Sequence, residues 1–242
     1  MFNRYQRVLS RAIESPKVLL ARFKGIYSDH YLCCVTARKL LNQPPKTIID
    51  VGANKGVFID ACNYVFSNFK IYAFEPIPWL YNSIKNKKIT KAFNFGLWDK
   101  KGEDIMYCNK INIGASSFLK PTQKYNEEKG SEKDLFKIKA KKQRFDKLKI
   151  PIERPCFVKI DVEGAEEKVL RGFGDRLKEV DILQIEWFFK DFHKDQMKLS
   201  SLLPFLEKYG FTGFIQREVN FIKGKPSTCD LIFFKNKENS NG

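Results

Sequence analysis

Three clusters of residues have the types and spacing that do chemistry. The first is Ile48-Ile-Asp50-Val-Gly52-Ala53-Asn54-Lys-Gly56. An apolar strand that ends in glycines and opens a helix lets the backbone approach a ligand closely and aims free N–H groups at its polar atoms. The G-x-G-x-x-G spacing of dinucleotide sites is not met, because Asn54 and Val57 stand at its second and third glycines. The loop therefore suits an adenosine without pyrophosphate better than a dinucleotide. A bare glycine turn also occurs in α/β proteins that bind nothing there. The second cluster is Phe74-Glu75-Pro76, where 75 − 52 = 23 residues separate the acid from the first glycine. Doubly wound folds place at that distance an acid that hydrogen-bonds ribose hydroxyls. The same carboxylate could instead be the N-cap of a helix opening at Pro76. The third cluster, Val158-Lys159-Ile-Asp161-Val-Glu163-Gly164-Ala-Glu166, delivers carboxylates to the carboxyl edge of a sheet. Open α/β sheets bind ligands at that edge. Strand alternation puts Lys159 and Asp161 on one face, while Glu166 and Glu167 suit a helix start and its dipole.

A parallel sheet is needed to hold these clusters together. Thr47 to Val51 reads as a strand, Val57 to Phe66 as a helix, Lys70 to Phe74 as a strand and Trp79 to Lys85 as a helix. This is the β-α-β-α rhythm of a parallel sheet. Ala92 to Gly96 supplies a third strand, and Ile105 to Cys108 extends the same region as a hairpin after the Asp99–Gly102 turn. Residues 120–134 are polar and read as a loop. Leu135 to Ala140 is a short strand, Arg144 to Leu148 a turn and Cys156 to Asp161 the fourth core strand. Glu163 to Leu170 is helical, Val180 to Glu186 is the fifth strand and Leu199 to Tyr209 a helix. Phe211 to Gln216 closes with Asp230 to Phe234 as an antiparallel pair. The expectation is an α/β fold with a doubly wound, mostly parallel, Rossmann-like sheet spanning residues 45–236, followed by a polar tail at 237–242.

Residues 1–44 form an expected N-terminal helical extension. Phe2, Tyr5, Val8, Leu9, Ala12 and Ile13 recur at helical spacing with Arg4, Arg7 and Arg11 between them, until Pro16 interrupts; a second stretch runs to Leu41. A basic amphipathic helix of this kind either packs on the main domain or makes peripheral contact with an anionic membrane.

The chain has 242 residues, 43% hydrophobic and 30% charged, which excludes a disordered tail or a fibre. A net charge of +16 draws it toward anions, although Lys, Asn, Ile and Phe are all abundant, as an AT-rich coding bias alone would produce. Cys33, Cys34, Cys62, Cys108, Cys156 and Cys229 form no C-x-x-C pair, and only His30 and His193 accompany them. No structural zinc site is expected. The absence of a leader-like N-terminus and of an 18-residue apolar window leads to an expected cytoplasmic location with reduced thiols.

In combination, Asp50-Val-Gly-Ala-Asn-Lys-Gly, Ala73-Phe-Glu-Pro, Gly114-Ala-Ser-Ser and Val158-Lys-Ile-Asp-Val-Glu-Gly-Ala-Glu resemble the FkbM family of S-adenosylmethionine-dependent methyltransferases, over about Thr47 to Glu186. The resemblance implies a class I methyltransferase fold, S-adenosylmethionine as cofactor, and O-methylation of a sugar, glycan or related metabolite. It implies that Asp50, Gly52, Ala53, Asn54 and Gly56 form the cofactor loop, that Glu75 and Pro76 face the ribose, and that Asp161 sits beside the methyl group. An alcohol acceptor needs a base. Asp161 is the first candidate, Glu163 and Glu186 the next, and His193 the third. Asp161 and Glu186 would also suit one Mg²⁺, to which the reading does not commit. Ser116 and Ser117 suit either the acceptor or their own turn. The alternatives are an RNA methyltransferase with Trp79, Tyr81, Trp98 and Tyr125 as stacking rings, or a non-catalytic adaptor for nucleic acid or membrane.

Overall fold

The computed structural model describes residues 15–128 and 132–236. The first helical stretch expected from the sequence, over residues 1–14, and the polar tail lie outside them. Helix α1 (Lys17–Phe23) leads into α2 (Ser28–Leu41), and then the alternation begins: β1 (Thr47–Val51), α3 (Val57–Val65), β2 (Lys70–Phe74), α4 (Pro78–Ile84) and β3 (Lys91–Phe93). Next come β4 (Gly96–Leu97), β5 (Gly102–Asn109), α5 (Gln123–Glu128), β6 (Leu135–Gln143) and β7 (Cys156–Ile160). The chain ends with α6 (Glu166–Phe173), β8 (Ile182–Phe188), α7 (Leu199–Glu207), β9 (Gly213–Ile222) and β10 (Lys225–Phe234).

Seven strands form the main sheet in the order β3-β2-β1-β7-β8-β10-β9. β3, β2, β1, β7 and β8 run parallel, and β10 is antiparallel to both β8 and β9. β1 and β7 are buried along their whole length, as continuous apolar runs in a parallel sheet must be. One face packs Ile48, Phe157, Ile182 and Ile232 under α2 and α3. The other packs Ile49, Val158, Leu183 and Ile185 under α6 and α7. The order reverses between β1 and β7, and ligands of such sheets bind outside the carboxyl ends at that point.

A polar row crosses the α2 face. Asp50 pairs in register with Lys159, which pairs with Gln184, and Gln184 Nε2 donates to Asp230 Oδ1 at 3.1 Å. All six cysteines are free and buried.

Three expectations are corrected. The hairpin does not extend the main sheet: β5 pairs antiparallel with β6 in a separate three-stranded sheet, β4-β6-β5. Its inner residues Met106, Cys108 and Ala140 pack on Ile77 and Leu80, which draws it away from the main sheet. The polar 120–134 region contains helix α5, anchored by Tyr125, whose hydroxyl donates to the Ala115 carbonyl and accepts from Asn109 Nδ2. The helix expected from Glu163 starts only at Glu166, because Glu163 and Gly164 both take positive φ. Among the described residues, no helix is long and apolar enough to cross a membrane.

Candidate active site

The ends of β1, β2 and β7 meet around one loop. Gly52 has φ +80°, and a Cβ on it would lie 1.9 Å from the Asp161 carbonyl oxygen, so only glycine fits. Gly52 and Ala53 donate their N–H groups to the Phe74 carbonyl at 3.0 and 3.1 Å. Asn54 turns in the left-handed region (φ 48°), and Gly56 (φ 74°) stands at the N-cap of α3.

Glu75 is the residue that closes this loop. Its Oε2 accepts from the Asn54 N–H at 2.7 Å and its Oε1 from the Ile77 N–H at 2.8 Å. The two sequence readings of Glu75 are therefore not rivals, since one oxygen serves the start of α4 while the other holds the glycine loop. Each oxygen keeps a second lone pair for a hydroxyl donor. Burial pushes the Glu75 carboxyl up to about 7, against the pull of those two backbone N–H groups.

Above Glu75 lies a cavity that is partly open to solvent. Gly52, Asn54, Glu75, Pro76 and Asp161 line it, with Gly114, Ser116 and Ser117 opposite. Ile77, Leu80, Leu97, Trp98, Met106 and Phe118 form its apolar wall. Sequence reasoning did not identify this wall, because its residues come from the start of α4, the small sheet and the segments beside it, far apart in sequence. Asp50, Ala53 and Gly56 do not line the cavity. Asp50 is fully buried beneath the loop, Ala53 belongs to the core and Gly56 starts a helix. Ser116 Oγ donates to the Ile113 carbonyl and Ser117 Oγ to the Val162 carbonyl, so both hydroxyls bond to backbone oxygens.

At the open end stands Asp161, with a side chain one-third exposed. Lys159 Nζ lies 3.1 Å from Asp161 Oδ2 and 3.6 Å from Asp50 Oδ1. Burial raises the Asp161 carboxyl, but the Lys159 charge and hydrogen bond outweigh it and hold it below the ordinary range. Burial likewise opposes the charge on Lys159, and Asp161 with Asp50 more than restores it. Burial pushes Asp50 up to about 6, against the charge and hydrogen bond of Lys159. Asp161, Glu163 and Glu186 offer carboxylate oxygens within 4.8 Å of one another, and Glu186 hydrogen-bonds Asp161. A hard cation needs such a separation, but the Lys159 ammonium already provides positive charge at this group. His193 is buried nearby, where a Cβ on Gly164 would meet its Nδ1 at 2.8 Å; its ring centroid is 5.4 Å from that of Tyr125. Two further residues were not expected. Glu166 is buried rather than solvated: its Oε1 accepts from the Gly164 N–H at 3.0 Å, and burial pushes it up to about 8. His30, from the start of α2, packs edge-on against Phe58, and burial together with Lys159 lowers it to about 4.

The residues fit S-adenosylmethionine on three counts. Asn54 lines the cavity, and its buried Oδ1 accepts no hydrogen bond within the protein. Gly52 and Gly114 both line the cavity and present bare backbone, without a side chain, to a ligand. Glu75 provides the hydroxyl acceptor expected of a nucleoside site.

The fold and this site define a class I S-adenosylmethionine-dependent methyltransferase. Residues 50–212 match the family model described as the methyltransferase FkbM domain, and the chain belongs to that family. The methyltransferase sdnD of Sordaria araneosa is 29% identical over 179 residues, covering 62% of this chain and 67% of that protein. Among solved structures, the N-terminal domain of EvdMO1 in the presence of SAH and D-fucose is similar with a TM-score of 0.46 and 9% identity, over 87% of this chain and 84% of that one. The precorrin-6y C5,15-methyltransferase from Geobacter metallireducens is similar with a TM-score of 0.44 and 13% identity, over 84% of this chain and 86% of that one.

Proposed function

We propose that this methyltransferase acts on a hydroxyl of a sugar, a glycan or a related polyhydroxylated metabolite. The observation that carries the reading is the acidic character of the acceptor end. Asp161, Glu163 and Glu186 gather there in a chain whose net charge is +16. Carboxylates accept from the hydroxyls of a polyol, whereas they repel the phosphates of RNA. The rings an RNA acceptor would stack on support the same choice: Trp98 and Tyr125 are buried, and of the four candidates only Trp79 is prominently exposed.

S-adenosylmethionine, held by Gly52, Asn54, Glu75 and the apolar wall, would supply a methyl group activated by its sulfonium charge. The chain's own residues then have two tasks, to orient the acceptor oxygen and to take its proton. Asp161, kept anionic by Lys159, orients the acceptor hydroxyl and takes its proton as the methyl group is transferred. Glu186, hydrogen-bonded to Asp161, holds the proton of that bond and so supports the Asp161 carboxylate rather than taking the proton of the acceptor hydroxyl. Glu163 completes the set from a left-handed conformation (φ 54°), the kind of strained geometry that concentrates at functional sites.

The test is a labelled-methyl assay against a panel of sugars, sugar nucleotides, glycans and RNA, with single-turnover rates for the wild type, Glu186→Gln and Asp161→Asn. The reading expects label in a carbohydrate hydroxyl and a loss of about 10²–10⁴-fold in the chemical step for Asp161→Asn. Label in RNA, or a wild-type single-turnover rate in that variant, would overturn it.

A further inference from the structure

We propose that the segment from Lys17 to Tyr27 docks this chain on an anionic lipid surface. Helix α1 has two faces of opposite fate. Val18 and Ala21 are fully buried and pack against Tyr31 and Leu32 of α2. On the outer side Leu19 and Leu20 are exposed, Phe23 is 93% exposed, and Tyr27 just beyond the helix is 61% exposed. Four large apolar side chains within nine residues form a continuous patch, not the scattered single residues common on protein surfaces.

The charges around the patch have one sign. Lys17, Arg22 and Lys24 are all exposed, and no acid occurs between Ser15 and Ser28. The sequence upstream continues the pattern, with Arg4, Arg7 and Arg11 among Phe2, Tyr5, Val8, Leu9 and Ile13, and Glu14 as the single acid before Asp29. Cations interleaved with aromatic and aliphatic residues are what an interfacial segment needs, since a leaflet offers negative headgroups at the surface and apolar chains just below. A run of four to eight Lys and Arg is also the number that an anionic leaflet attracts usefully. A second copy of the chain fits less well, because a two-fold contact would set this cationic patch against itself.

The patch adjoins the acceptor end of the site. The Tyr27 ring is 6.4 Å from His30, the His30 ring 5.9 Å from Phe58, and Lys159 Nζ 5.6 Å above the Phe58 ring. Docking at Phe23 and Tyr27 would therefore hold the open end of the catalytic site near the membrane surface.

The experiment is co-sedimentation of the full chain with vesicles of phosphatidylcholine alone and of phosphatidylcholine with phosphatidylserine, at low and at high salt, alongside light scattering without lipid. The proposal expects binding to the phosphatidylserine vesicles alone, weakened by salt. It expects Phe23→Glu and Leu20→Glu each to reduce that binding by about tenfold or more, with thermal unfolding and S-adenosylhomocysteine binding unchanged. Absence of vesicle binding, binding that survives both substitutions, or self-association that Phe23→Glu abolishes would each overturn it. None of these readouts depends on which acceptor is methylated.

Discussion

Lys159 Nζ lies 3.1 Å from Asp161 Oδ2 and 3.6 Å from Asp50 Oδ1, so a single buried ammonium serves two carboxylates from adjacent parallel strands. Removing one partner of such a cluster leaves charge stranded in a low-dielectric interior, which is far costlier than replacing the whole cluster with apolar groups. Lys159→Met should therefore cost about 3–5 kcal/mol in denaturant unfolding at neutral pH. Adding Asp50→Asn to it should recover part of that loss. A single-variant loss below about 1 kcal/mol would show that Lys159 is not what keeps these carboxylates ionised.

Glu75 ties the glycine loop to the start of α4 through two backbone N–H groups, and it also faces the cavity. Glu75→Gln keeps the shape of the side chain but replaces one acceptor oxygen by a donor. Calorimetric titration with S-adenosylhomocysteine should show affinity reduced by about 1.5–3 kcal/mol, the range for hydrogen bonds to a charged group. Unchanged affinity in a folded variant would remove Glu75 from the ribose.

Burial raises Glu75 and Asp230 to about 7 and Glu166 to about 8. In the unfolded chain the same groups ionise near pH 4–4.5. Between roughly pH 4.5 and 8 the folded state thus holds protons that the unfolded state has lost, and stability must fall as pH rises through that window. Denaturant unfolding followed from pH 5 to 8.5 should show a decline of several kcal/mol, each group contributing about 1.4 kcal/mol per pH unit within its own window. Glu166→Gln, neutral throughout, should flatten its upper part. A stability that climbs across the same interval would contradict the burial of these carboxyls as protonated, neutral groups.

The main-sheet strands were legible because burial on both faces makes them unbroken apolar runs. Thr47–Val51 and Lys70–Phe74 have the bounds that the sequence suggested. The small sheet was not legible as a separate layer. In β6, Lys137, Lys139 and Lys141 alternate with Ile138, Ala140 and Lys142, so its inner face is defined by contacts with Ile77 and Leu80 distant in sequence. Helix α5 went unseen for a similar reason, since Tyr125 alone anchors an otherwise polar segment. In the site, Gly52, Asn54, Glu75, Pro76 and Asp161 come together around one cavity, as strand ends in a parallel sheet must. The burial of Asp50 and Glu166 was hidden, because a carboxylate in a motif reads the same whether it meets a ligand, a lysine or a backbone N–H.

Gly52 and Gly114 face the same cavity but differ in what a methyl group would meet. At Gly52 a Cβ would come within 1.9 Å of a backbone oxygen, that of Asp161, in a conformation with φ +80°. Neither the strand end nor the turn can move without breaking the hydrogen bonds to Phe74, so Gly52→Ala should destabilise the fold by about 3 kcal/mol or more. At Gly114 the nearest atom is Asn54 Nδ2 at 2.8 Å, the end of a side chain that can rotate away. Gly114→Ala should therefore leave unfolding within about 1 kcal/mol of wild type. By displacing the Asn54 amide it should still weaken S-adenosylhomocysteine binding about tenfold, or 1.4 kcal/mol. Thermal unfolding and calorimetry on the pair separate the two effects. Equal loss of stability in both variants, or full cofactor affinity in Gly114→Ala, would show that Asn54 does not contact the cofactor from this side of the cavity.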